Sequence, residues 1–94
     1  MLSGDGILAW KIVFTSQAQK DSKKIQNSGL HKKVSFLLDI ILENPYANPP
    51  TYEKLKGVPE GYYSRRINIQ HRLVYRIYEK EHTIQIIRMW THYE

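Results

Sequence analysis

The stretch "GYYSRRINIQHRLVYRI", residues 61–77, gathers Arg65, Arg66, Arg72 and Arg76 with His71, Tyr62, Tyr63 and Tyr75. Guanidinium groups are flat forks of N–H donors that match phosphate oxygens. Aromatic rings beside them offer faces on which nucleobases stack. The acids that follow, Glu79 and Glu81, fall in a polar turn. Arginines crowded together without carboxylates repel one another, and an external anion relieves them. The competing reading is a wet face of an antiparallel sheet, a common feature of such sheets. Pattern alone leaves both open.

The rest of the chain narrows the setting. Its 94 residues make one small domain, and 41% hydrophobic with 12% aromatic residues can support a compact core. The formal charge of +5 favours polyanionic partners: nucleic acid, an acidic protein segment or an anionic membrane. The lack of cysteine excludes a disulfide scaffold and a Cys-based zinc site, and suits a reducing cytoplasm. No apolar run is long enough to span a bilayer, and "MLSGDGILAW" lacks the basic start and apolar stretch of a signal peptide. Residues 1–8 read as a flexible extension and 9–94 as the domain. His31, His71 and His82 lack metal-ligand spacing. His31 and His82 read as surface residues, and His71 as a residue that hydrogen-bonds within a hairpin.

The elements that must position the arginines follow from pattern. "ILAWKIVF" (7–14) reads as a strand, and Thr15 and Ser16 offer an N-cap hydroxyl. "QAQKDSKKIQNSG" is a polar helix with a thin stripe of Ala18 and Ile25, ending near Gly29. In "LHKKVSFLLDIILEN", Leu30, Val34, Leu37, Leu38, Ile41 and Leu42 recur every three or four residues and mark the apolar face of a second helix. "NPYANPP" ends it. Residues 51–56 suit a short strand and "GVPEG" a turn. Residues 62–69, 72–78 and 83–93 read as hairpin-linked strands. The expected fold class is α+β: a twisted antiparallel sheet with two N-terminal helices packed on one face.

Strand alternation then sorts the arginines. Ile67, Ile69, Leu73, Tyr75 and Ile77 are expected to face the helices. Arg66, Arg72 and Arg76, with Tyr62 and Ser64, collect on the other face, and Arg65 points away from them. The last strand alternates poorly. If Ile87 and Met89 point inward, Arg88, Trp90 and His92 join the arginine face, though Trp90 also suits core or cleft wall.

From Trp10 to Tyr93 the chain resembles the YoeB/Txe family of bacterial toxins, within the RelE superfamily. "SRRI" (64–67), "HRLVY" (71–75) and the near-terminal His92–Tyr93 carry the resemblance. It implies a ribosome-dependent mRNA endonuclease that cuts the message in the A site and stops translation, together with a YefM-type antitoxin that neutralises it. It implies no cofactor and no membrane partner. It suggests a toxin homodimer, and a cytoplasmic setting follows. By position, Glu53 looks like the general base and Lys56 a cationic helper. Arg66 and Arg72 look like the phosphate-binding arginines, His92 the general acid and Tyr93 an aromatic that arranges substrate. Arg65 and Tyr63 are carried over as RNA contacts. Three features depart from the family pattern: the extra N-terminal residues, Glu94 after the usual terminal tyrosine, and Tyr63 where some relatives carry tryptophan.

These residue types suit RNA cleavage. RNA supplies its own 2′-hydroxyl nucleophile, so cleavage needs a base near that hydroxyl, an acid near the departing 5′-oxygen and positive charge around the phosphorane. The products would be a 2′,3′-cyclic phosphate and a 5′-hydroxyl. Two other readings stand beside this one. A basic module could dock on ribosome or RNA and block translation sterically, or the basic face could serve mainly to hold an acidic antitoxin tail.

Overall fold

The computed structural model describes residues 10–90. β1 (Lys11–Phe14) leads into α1 (Ser16–Ser28) and α2 (His31–Glu43). Four strands follow: β2 (Tyr52–Lys54), β3 (Tyr62–Arg66), β4 (Arg72–Tyr78) and β5 (Thr83–Arg88). They form one five-stranded sheet in the order β1-β5-β4-β3-β2. The expected α+β layout is present, with one difference: β1 lies parallel to β5, so the sheet is mixed. The two-helix crossover returns the chain to the same sheet, and this permits a parallel first strand.

Local chemistry sets the helix ends. Thr15 caps α1 by accepting a hydrogen bond from the Ala18 amide at 3.0 Å, and its hydroxyl donates to the Ile87 carbonyl, also at 3.0 Å. Gly29 ends α1 in the left-handed region at φ 83°, where a side chain would be strained. The expected stripe of α1 is buried at Ala18 and Ile25, and Asp21 is buried between them. In α2, Val34, Leu37 and Ile41 are buried and Leu38 is half-buried, but Leu42 is exposed. The core forms where these residues meet Ile67, Leu73, Tyr75, Ile77, Ile84, Ile86 and Met89.

Two strands differ from their sequence reading. β3 ends at Arg66, because the Asn68 side chain accepts the amides of Gln70 and His71 and folds residues 67–71 into a turn. Ile69, expected inward, is therefore 88% exposed. His71 closes this hairpin by accepting the Ile67 amide at 2.9 Å. In β5, Tyr75 faces Ile86 but Val74 faces Arg88, which leaves Ile87 as the extra residue of a bulge. The bulge explains the broken alternation: Ile84 and Ile86 are inward before it, and Met89 is inward after it. Among the described residues, no helix is long and apolar enough to cross a membrane.

Candidate active site

Register carries Glu53 onto the arginine face. Glu53 pairs with Ser64, Ser64 with Val74, and Arg66 with Arg72. Partners directly opposite in an antiparallel ladder share a face. The short strand β2 thus delivers a carboxylate beside two arginines that come from the ends of β3 and β4.

The side chains meet there. Arg72 Nη1 lies 3.1 Å from Glu53 Oε1 and donates to Ser64 Oγ at 3.2 Å. Ser64 and Val74 are buried and form the floor of this corner. Side-chain exposure is 16% for Arg72 and 63% for Glu53, so the arginine is braced while the carboxylate reaches into solvent. Arg66 is exposed, directly across the ladder from Arg72. Among the described residues it has no carboxylate partner. Two cations facing each other, with one acid bound to Arg72 alone, leave a deficit of negative charge that suits a phosphate. An open groove of about 480 Å³ begins at Arg66 and runs past Lys33, Thr51 and Asn68.

The other expected residues are placed differently. Arg65 is fully buried on the opposite face, where it donates to the Tyr75 hydroxyl at 2.9 Å and to the carbonyls of Pro45 and Pro50. It holds the loop between α2 and β2 against the core. Tyr63 shares that face, half-buried among Tyr46, Tyr52 and Tyr75 at centroid distances of 5.6–6.1 Å. β3 turns both from the arginine face, and the fully buried Arg65 has a packing role there. Lys56 is exposed in the bend after β2. Arg76 lies on the arginine face but is held between Tyr62 and Tyr78, its guanidinium carbon 5.0 and 4.7 Å from their centroids. Arg88 does not join that face: its Nε bonds Asp21 of α1 at 2.8 Å. His92 and Tyr93 lie outside the described residues. Trp90, two residues before His92, stacks on His71 at 3.9 Å, beside Arg72 in the chain.

Asp21 is the polar residue that pattern reading passed over. Its Oδ2 accepts from Arg88 Nε, from the Met89 amide at 3.0 Å and from the Trp90 amide at 3.3 Å, and its Oδ1 accepts from Gln17. Burial alone pushes its carboxyl up; the bonds from Arg88, Met89, Gln17 and Trp90 outweigh this and hold it below the usual carboxylate range. The available signal was its spacing: three residues after Ala18 and four before Ile25, Asp21 falls on the buried stripe of α1.

Comparison with known proteins shows the family. The family model for the YoeB-like toxin of bacterial type II toxin-antitoxin systems matches residues 14–93. A "Toxin YoeB" of Synechocystis is 36% identical over 86 residues, which covers 89% of this chain and 98% of that protein. A YoeB/ParE toxin structure from Agrobacterium tumefaciens superposes with a TM-score of 0.80 at 32% identity, covering 88% of this chain and 99% of that one. The Staphylococcus aureus YoeB dimer gives 0.77 at 39% identity, covering 89% and 98%. The same S. aureus toxin is also seen in a complex with YefM.

Proposed function

The chain belongs to the YoeB-like toxins of bacterial type II toxin-antitoxin systems, and from that premise we propose that it is a ribosome-dependent endoribonuclease that cuts mRNA in the A site. The observation that carries this reading is the Glu53–Arg72 contact at 3.1 Å, with Arg66 across the ladder lacking a carboxylate among the described residues. Holding an acidic antitoxin tail would need the arginines alone. Cleavage also needs a base beside them, and Glu53 is that group.

In the proposed reaction, Glu53 takes the proton of the 2′-hydroxyl as that oxygen attacks phosphorus. The bond from phosphorus to the 5′-oxygen breaks, and His92 protonates the departing oxygen. Arg66 and Arg72 hold the charge of the phosphorane, Lys56 adds positive charge nearby, and Tyr93 arranges the substrate. The incoming phosphate competes with Glu53 for Arg72, which frees the carboxylate to act as base. Positioned acid–base groups contribute roughly 10²–10⁴-fold each. Loss of one oxyanion donor costs about 10²–10³ in rate.

A YefM-type antitoxin and a toxin homodimer are proposed as partners, on the strength of the S. aureus structures. The test is message cleavage on programmed ribosomes with the purified chain. Glu53→Ala and His92→Ala are expected to abolish cutting while ribosome binding persists. Normal cutting by both variants refutes the assignment.

A further inference from the structure

We infer that Arg76, held by Tyr62 and Tyr78, binds a backbone phosphate of the message on the 5′ side of the cut. The inference deepens the nuclease reading above and rests on it.

Arg76 is half-buried on the arginine face, and its guanidinium packs against the rings of Tyr62 and Tyr78. Its Nη1 donates to both phenolic oxygens, at 3.4 Å and 3.2 Å. The Tyr78 hydroxyl donates in turn to Gln85 Oε1 at 3.1 Å. Side chains of β3, β4 and β5 thus hold one guanidinium in place. Among the described residues no carboxylate pairs with it, and its Nε and Nη2 make no hydrogen bond. The acid nearest to it in the chain, Glu79, accepts instead from the Tyr46 hydroxyl. A fixed guanidinium with open donors and no acid matches the oxygens of a phosphate. The rings around it suit a nucleotide, whose base can stack on an aromatic face.

The ladder gives the direction. Along β3 and β4 its same-face pairs run Arg66–Arg72, Ser64–Val74, Tyr62–Arg76. Glu53 stands opposite Ser64, between the two arginine levels. In the proposed reaction Glu53 takes its proton from a 2′-hydroxyl, and that hydroxyl belongs to the nucleotide on the 5′ side of the scissile phosphate. A message with this phosphate at Arg66 and Arg72 therefore runs past Glu53 toward Arg76 in the 5′ direction. Arg72 and Arg76 share one strand, about 13 Å apart. The groove at Arg66 and Asn68 lies at the opposite end of the ladder, on the 3′ side.

The experiment walks a neutral methylphosphonate along the message, one linkage at a time, on both sides of the cut. Affinity for the programmed ribosome is read with 2′-deoxyribose at the cleaved position, and cleavage with ribose there. Arg76→Ala is expected to weaken binding of the natural message about tenfold and to leave kcat near the parent value. One methylphosphonate upstream of the cut is expected to weaken the parent by a similar factor, and to cost Arg76→Ala nothing further. Tyr78→Phe keeps the ring and removes one acceptor. It is expected to show the same pattern to a smaller degree, and it decides the matter should Arg76→Ala not fold. Folded variants that bind like the parent overturn the inference. So does a variant that stays sensitive to every upstream linkage, which moves the contact to ribosomal RNA or an acidic protein, or one that loses sensitivity only downstream. Failure of the unsubstituted chain to cut the all-ribose message instead overturns the nuclease reading, and the affinities still decide whether Arg76 meets a message phosphate.

Discussion

Arg65 and Arg66 are adjacent in sequence and lie on opposite faces of β3. Arg66 is exposed beside the groove, whereas Arg65 is buried with bonds to Tyr75, Pro45 and Pro50. Their truncations should therefore separate cleanly. Arg66→Ala is expected to lower cleavage by about 10²–10³-fold with unchanged melting temperature. Arg65→Ala leaves a buried hydroxyl and two carbonyls without their donor, and is expected to cost at least about 2 kcal/mol in urea unfolding. The reverse result, stability lost at Arg66 and activity at Arg65, contradicts the assignment. Alternation made the split of this pair legible in sequence, since it sent Arg65 away from Arg66. It did not reveal what Arg65 bonds, because two of its partners are loop carbonyls with no periodicity.

At the scale of elements, α1 and β5 are joined through Asp21 and Arg88. The folded Asp21 carboxyl lies below its ordinary value, so its contribution is fully present above the unfolded value of about 4 and fades as pH falls through the folded one. Asp21→Asn is expected to lower stability at neutral pH and to flatten the loss of stability below about pH 4, as read by thermal melts across pH. An unchanged acid limb contradicts this. On α2, Leu37→Ala opens a void in the core and is expected to cost about 2–5 kcal/mol. Both helices were legible because the spacing of their apolar residues is a local signal, and α1 also carries caps at Thr15 and Gly29. The early end of β3 depends on the Asn68 side chain, and the bulge at Ile87 on pairing with β4. The parallel partner of β1 is some seventy residues away in the chain and leaves no local trace.

Across the whole molecule, the +5 charge favours polyanionic partners, and the sheet sets Arg66 and Arg72 opposite each other at one corner. Binding to programmed ribosomes should weaken with salt, and Arg66→Ala should reduce the slope of log affinity against log salt by about one. In the proposed reaction the base, the clamp and the acid are residues 53, 66, 72 and 92, so the chemistry draws on groups far apart in the chain rather than on one local motif. Removal of the nucleophile itself tests the central claim most directly. A message carrying 2′-deoxyribose at the cleaved position should stay intact on the ribosome, while the all-ribose message yields a 5′-hydroxyl and a 2′,3′-cyclic phosphate. Equal cutting of both messages, or arrest of translation with the all-ribose message intact, would contradict the account.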